Sequence, residues 1–240
     1  MSFRERMRES ARKKASRVVL ALDLADPFGV RLKKAERILD ETKGEIAAVK
    51  VNHHLLLPYG LEGLEKVIDT CRKAELPLIA DLKMNDIEST NLNIVDSLFA
   101  YGFDAVIANP FVGKEEGLGK VVERVHSKMG GVLFLVYMSH KGAEEGYSLR
   151  VEGGGPLYRI FAARARDWGA DGVIVSAKAA ERIAETRSIV GKDSLIFAPG
   201  VGAQGGTVKA SIAAGADFVL VGREVTESPD PLKSVRALKV

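Results

Sequence analysis

The sequence predicts an α/β protein, a (β/α)8 TIM barrel in a single domain, and three observations carry that expectation. Eight short β-branched or apolar runs alternate with helical segments, each step between runs is about one strand plus one helix long, and a weak repeat marks several strand starts. Strands that alternate with helices demand a parallel sheet. Eight of them in 240 residues favour closure into a barrel over an open, doubly wound sheet.

The runs, in order, are Val18 to Asp23, Ile46 to Val51, Leu78 to Lys83, Ala105 to Asn109, Val132 to Met138, Gly172 to Ser176, Leu195 to Pro199 and Phe218 to Gly222. The repeat is Gly102-Phe-Asp104-Ala-Val-Ile, Gly169-Ala-Asp171-Gly-Val-Ile and Gly215-Ala-Asp217-Phe-Val-Leu. In each copy a glycine free to take a left-handed conformation closes a helix, and the chain turns at once into the fourth, sixth or eighth strand. Ahead of the first strand, Ser2 to Lys14 mixes Arg and Lys with Glu5 and Glu9 around no apolar core. It reads as a solvated helix rather than a secretory signal, so residues 1–16 are an N-terminal helical extension and residues 17–240 the catalytic barrel.

Composition narrows the function. No apolar run reaches the roughly 18 to 20 residues of a membrane span, and a net charge of +3 with interspersed acids offers no stripe for a nucleic-acid backbone. Neither a membrane nor a nucleic acid is an expected partner. One cysteine, Cys71, rules out an internal disulfide and suits a reducing cytoplasm. His53, His54, His126 and His140 form no ligand pattern, so neither metal nor other cofactor is expected.

Barrel chemistry sits at the carboxyl ends of the strands. Asp23, Lys50, Asp81, Lys83, Asn109, Ser139 and Arg223 all fall there, where apolar runs give way to polar residues. Along Ile79-Ala-Asp81-Leu-Lys83 the alternation of faces points Asp81 and Lys83 the same way, with Asp86 in the loop beyond. Buried charges require partners. Either the pair is a structural plug in the barrel mouth, or, with Asp23 and Lys50 on neighbouring strands, it is a catalytic array of two lysines held protonated by acids.

Pro199-Gly200-Val201-Gly202-Ala-Gln204-Gly-Gly206 ends the seventh strand and Val221-Gly222-Arg223 the eighth. Glycines expose backbone N–H groups to an anion and arginine adds a forked donor, in the loops where barrels commonly hold phosphate. Gly200, Gly202 and Gly205 also spell the dinucleotide fingerprint, but only one strand follows, too few for that fold. The long segment from Ser139 to Gly155 is placed to close over a substrate.

Together these segments resemble the archaeal-type orotidine 5′-phosphate decarboxylase family over nearly the whole chain after residue 17: Asp81-x-Lys83-x-x-Asp86-Ile87 with Thr90, Asp23, Lys50, Met138-Ser139-His140, the Pro199 to Gly206 loop and Val221-Gly222-Arg223. The resemblance implies that Lys83 protonates C6 of the pyrimidine as carbon dioxide leaves, flanked by Asp81 and Asp86. It implies that Asp23 and Lys50 hold the ribose hydroxyls, Ser139 reads the pyrimidine edge, and Pro199 and Val201 line the pocket. By the same resemblance Gln204, Gly222 and Arg223, with the Gly200 and Gly202 backbone, would grip the phosphate. It further implies that Asp86, Ile87 and Thr90 reach the site of a partner subunit, which would make the enzyme a homodimer acting on a small nucleotide. Asn109 departs from the family pattern, which commonly has histidine there, and Glu88 and Lys141 stand where proline is common. The rival readings are a magnesium-dependent aldolase or decarboxylase of 3-keto sugar phosphates, which shares the strand-three motif, and a catalytically silent nucleotide-binding regulator.

Overall fold

A computed structural model describes residues 1–202 and 206–239. Eight parallel strands close on themselves in the order β1 (Val18–Ala21), β10 (Phe218–Val221), β9 (Leu195–Pro199), β8 (Gly172–Val175), β5 (Gly131–Tyr137), β4 (Ala105–Ala108), β3 (Leu78–Met84) and β2 (Ala48–Asn52). The expected barrel is therefore present, each barrel strand lying within a residue or two of its sequence-derived run. The two additional strands, β6 (Arg150–Val151) and β7 (Gly155–Pro156), form a small antiparallel hairpin in the long segment after β5.

Alternation along each strand divides the apolar residues into two cores. Val49, Val51, Val106, Phe134, Val173 and Val219 face outward and pack under the surrounding helices. Val19, Ile79, Ile107, Leu135, Ile174 and Phe197 face inward and fill the barrel. Phe197 and Phe218 stack inside with ring centroids 5.1 Å apart.

The N-terminal helix α1 (Phe3–Lys14) differs from the solvated helix suggested by its charges. Phe3 and Met7, one helical turn apart, are fully buried and belong to the inner core, so α1 closes the amino-terminal end of the barrel. Gly131 makes room for it, since a Cβ there would lie 2.3 Å from the Phe3 ring. The basic residues that hide this face from a compositional reading serve as anchors: Arg6 pairs with Asp104 at 3.1 Å and Arg4 with Asp171 at 3.5 Å, while Ser10 Oγ donates to the Ala47 carbonyl at 2.6 Å.

The internal repeat now has a physical basis. Each repeat aspartate accepts a backbone N–H from the start of the preceding barrel strand: Leu78 N to Asp104 at 2.8 Å, Val132 N to Asp171 at 3.0 Å and Ile196 N to Asp217 at 2.7 Å. Each carboxylate also meets a cation or potential cation, Arg6, His126 and Arg187 respectively. Among the described residues no helix is long and apolar enough to cross a membrane.

Phe3→Ala removes a fully buried aromatic at the barrel base, and the expected loss is about 3 kcal/mol of unfolding free energy. Denaturant titration should show it, with turnover of the remaining folded protein unchanged. An unaltered midpoint would contradict the plugging role of α1.

Candidate active site

The opposite, carboxyl-terminal end of the barrel holds a cavity of about 390 Å³. Its floor is apolar, made by the inward residues Ile107, Leu135, Ile174 and Leu220, and one wall carries Asp23, Lys50, Asp81 and Lys83. These four charges arrive together because β1, β2 and β3 are adjacent and in register, Ala21 opposite Lys50 and Asn52 opposite Asp81.

The charges form one chain of contacts. Lys50 Nζ donates to both oxygens of Asp23 at 2.9 Å and to Asp81 Oδ2 at 2.7 Å, and Lys83 Nζ donates to Asp81 Oδ1 at 2.6 Å. The Lys50 and Asp81 side chains are almost wholly buried, whereas those of Asp23 and Lys83 are each 33% exposed. Acid and base therefore alternate along a chain whose two inner members are covered and whose two ends, Asp23 and Lys83, are open, and Lys83 is the more exposed of the two ammonium groups at the cavity.

Burial alone pushes Asp81 toward its neutral form, but Lys50 and Lys83 outweigh it and hold the carboxyl below its ordinary range. Burial likewise disfavours the Lys50 ammonium, and Asp81 with Asp23 more than offset this, leaving Lys50 above its ordinary value. Both groups stay charged because each supplies the other's missing solvation.

Lys83 reaches this position by a local irregularity. The β3–β4 register shifts between Ala80 and Met84, and Lys83 adopts φ 50°, left-handed for a residue with a long side chain. Such backbone costs about 1 to 3 kcal/mol and persists where surrounding contacts enforce it. Here the Asp81 contact and the pairing of the next residue, Met84, with Ala108 supply the enforcement.

The rest of the cavity rim is made by Ser139 after β5, by Pro199, Gly200 and Val201 at the end of β9, and by Gly222 and Arg223 after β10, which adjoins β1. Gly200 and Gly202 have φ of 96° and 74°, conformations that suit glycine. Gly202 N donates to Gly206 O at 3.0 Å and Gly206 N to Gly200 O at 3.1 Å, a loop closed by its own backbone. At Gly206 a Cβ would fall within 3 Å of Ala177 and the Gly200 carbonyl, so a larger residue would force this loop open. Arg223 is exposed at the rim, at the start of a short helix (Arg223–Thr226). Gln204 lies outside the described residues.

Not every expected residue comes to this cavity. Asp86, Ile87 and Thr90 do not line it; Asp86 is exposed, its Oδ1 accepting from Ile87 N at 2.7 Å. The Ile87 side chain stands open, 61% exposed, and Thr90 borders an apolar groove with Leu56, Leu57, Leu82 and Ile94 on the outer surface. Asn109 turns away to accept from Phe111 N at 3.0 Å, capping the turn Pro110–Val112. Sequence reasoning missed His54, Glu224 and Glu227, which also line the cavity. Glu224 lies across Gly202, its carboxylate 2.8 Å from where a Cβ would stand. The signal available was its place directly after Arg223.

Comparison with known proteins fits this geometry. The family profile described as Orotidine 5′-phosphate decarboxylase / HUMPS family matches residues 16–238. Orotidine 5′-phosphate decarboxylase of Pyrococcus abyssi is 37% identical over 221 residues, 92% of this chain and 96% of that protein. The protein of the same name from Methanosarcina barkeri is 34% identical over 226 residues, 94% of each chain. The crystal structure of orotidine 5′-phosphate decarboxylase from Pyrococcus horikoshii OT3 superimposes with a TM-score of 0.77 at 33% identity, covering 92% of this chain and 97% of that one.

The charge chain sets a pH dependence of stability. Asp81, lowered on folding, contributes stability that is complete above its unfolded value near 4 and is lost as pH falls through its lowered folded value. Lys50, raised on folding, contributes below its unfolded value near 10.4 and loses that contribution as pH rises through its raised folded value. Lys50→Met leaves Asp81 only Lys83 against burial, so the folded and unfolded values of Asp81 move closer together. The expected result is a loss of about 3 kcal/mol near neutrality and a shallower acid limb in melting temperature against pH. Superimposable acid limbs for the two proteins would contradict this account.

Proposed function

The chain belongs to the Orotidine 5′-phosphate decarboxylase / HUMPS family and is a carboxy-lyase of the orotidine 5′-phosphate decarboxylase type, and from that premise we propose how its residues work. It converts orotidine 5′-phosphate into uridine 5′-monophosphate and carbon dioxide in the cytoplasm, as a step of de novo pyrimidine biosynthesis. The barrel of residues 17–240 is the catalytic unit, and residues 1–16 are its helical extension. The single observation that carries the reading is the Asp23–Lys50–Asp81–Lys83 chain in one cavity with Gly200, Val201, Gly222 and Arg223.

The phosphate is held by Arg223, Gln204 and the backbone of Gly200, Gly202 and Gly222. Pro199 and Val201 line the pocket beside it. Asp23 and Lys50 hold the ribose hydroxyls, Asp23 through the part of its carboxylate that remains exposed, and Ser139 reads the edge of the pyrimidine. The substrate carboxylate is thereby brought toward Asp81. Two unit charges 4 Å apart at an effective dielectric near 20 repel by about 4 kcal/mol. That repulsion fades as the C6–carboxyl bond breaks and its electron pair stays on C6.

Lys83 acts in the opposite sense. Its ammonium gains attraction as negative charge grows at C6, an interaction stronger in the transition state than in the bound substrate. It then donates its proton to C6, giving uridine 5′-monophosphate, and leaves as a neutral amine to be reprotonated. Binding energy from the remote phosphate positions the ring for this step. Both carboxylates on the wall are already engaged by lysine, which favours this metal-free route over the magnesium-dependent sugar-phosphate reading.

The second flanking acid, Asp86, acts across a homodimer with Ile87 and Thr90. Its exposure, the open Ile87 side chain and the adjoining apolar groove suit a surface covered by a second copy. In that arrangement the partner's chain completes each cavity.

With purified protein, release of carbon dioxide from orotidine 5′-phosphate should survive EDTA, and Lys83→Ala should keep its affinity for uridine 5′-monophosphate while losing turnover by about 10³-fold or more. Near-normal turnover, or activity confined to sugar phosphates with magnesium, would defeat the assignment. Action of Asp86 in trans has its own test. Mixing inactive Lys83→Ala with inactive Asp86→Asn gives heterodimers with one intact site, recovering up to about a quarter of wild-type activity. No recovery after subunit exchange would place Asp86 in its own chain's site.

A further inference from the structure

Strict alternation along β5 would send Leu133, Leu135, Tyr137 and Ser139 all to the inside of the barrel. Leu133 and Leu135 do lie in the inner core, but Tyr137 belongs to the outer one, and Met138 and Ser139 both line the cavity. The phase changes where the β5–β8 register shifts, between Leu135 and Tyr137. A shift of this kind re-aims the side chains beyond it. Ser139 therefore faces the cavity in a setting that depends on where Tyr137 is held.

Arg182, near the start of helix α9 (Ala180–Val190), holds it. Its guanidinium carbon sits 4.2 Å from the centroid of the buried Tyr137 ring and 5.7 Å from that of Tyr158. The same guanidinium donates through Nη2 to Glu144 Oε1 at 2.7 Å. Glu144 lies on the short helix α7 (Ala143–Tyr147) after Ser139, and its other oxygen accepts from Ser148 Oγ at 2.6 Å. Ser148 in turn lies 3.4 Å from the Tyr137 hydroxyl. One side chain thus fastens both ends of the segment carrying Met138, Ser139 and His140, the upstream end by stacking and the downstream end by an ion pair.

The Arg182 contacts are also braced from behind. Tyr158 donates to Glu185, a neighbour of Arg182 on α9, and Arg159 pairs with Glu185 at 3.2 Å. A planar guanidinium lying on an aromatic face while forking to a carboxylate is a task for arginine that a lysine does less well. None of these residues lines the cavity, so direct contact with a ligand does not account for the arrangement.

We propose that Arg182 is a positioning residue that acts through Ser139, fixing the segment after β5 in the phase that presents this serine to the substrate's base. The inference rests on the reading of Ser139 as the contact to the pyrimidine edge. It makes Arg182 a determinant of base recognition from outside the pocket, leaving the phosphate end of the site untouched.

The experiment is a double-mutant cycle on the full chain, with kcat/KM for orotidine 5′-phosphate and inhibition by two ligands, uridine 5′-monophosphate and ribose 5-phosphate, which lacks a base. Arg182→Met should lower kcat/KM by about 10-fold or more and weaken uridine 5′-monophosphate while leaving ribose 5-phosphate inhibition within about twofold. In a Ser139→Ala background the same substitution should change kcat/KM by less than about twofold. Glu144→Gln, on an exposed helix whose change does not threaten folding, should repeat the ligand selectivity at smaller size, and it decides the matter if Arg182→Met does not fold. Equal weakening of both ligands, or full additivity with an impaired Ser139→Ala, overturns the positioning role while the Ser139 reading stands. A Ser139→Ala enzyme with undiminished kcat/KM and base affinity overturns the Ser139 reading and the inference with it.

Discussion

The site depends on one carboxylate, Asp81, being shared by two ammonium groups. A buried acid in an apolar barrel would ordinarily take up a proton, and a buried lysine would lose one. Held between Lys50 and Lys83, Asp81 stays charged, and Lys50 stays charged between Asp81 and Asp23. The arrangement fixes the position of the terminal ammonium without neutralising the chain behind it. Removing any inner member leaves a neighbouring charge buried with a missing partner, so the array behaves as one unit rather than as four side chains.

Barrel topology is what makes this unit possible. Three adjacent parallel strands deliver Asp23, Lys50 and Asp81 to the mouth, Lys50 lying opposite Ala21 and Ile79, two residues short of the acids, and the shift in β3 accompanies the turn of Lys83 onto the same acid. The left-handed backbone at Lys83 is the local cost of placing two charges of one strand within a single contact. The charged wall is thus irregular at β3, above an inner apolar core that includes Ile79 and Ile174.

Much of this was legible from residue order, and the exceptions have physical causes. Strand positions follow from apolar runs bounded by glycine and charge, and the polar residues at strand ends follow from the barrel rule, so the fold class and most of the cavity wall could be read before any coordinates. The burial of α1 could not, because Phe3 and Met7 are only two apolar side chains among many charged ones, and their partner surface is the barrel base, far away in sequence. Asn109 looked like a mouth residue but satisfies a local turn instead. Tyr137 escaped because a register shift changes the phase of alternation and leaves no mark in composition. Glu224 was hidden in what reads as the next helix, although Gly202 is shaped around it. Asn109 aside, where a local turn decided, longer-range packing overrode a local pattern.

The aspartates at the base of the barrel bear on how the chain assembles. Their contacts to Leu78, Val132 and Ile196 span 26, 39 and 21 residues, joining β3 to β4, β5 to β8 and β9 to β10 as neighbouring pairs. The β1–β2 pair lacks such an aspartate clasp among the described residues and instead leans on α1, whose Ser10 donates to the Ala47 carbonyl 37 residues away, just before β2. Closing a short loop costs less chain entropy than closing a long one. The barrel is accordingly built as three locally clasped pairs of parallel strands, while its closing seam joins β1 to β10, Val18 opposite Val219, so the barrel strand that comes first in the chain is completed only by the one that comes last.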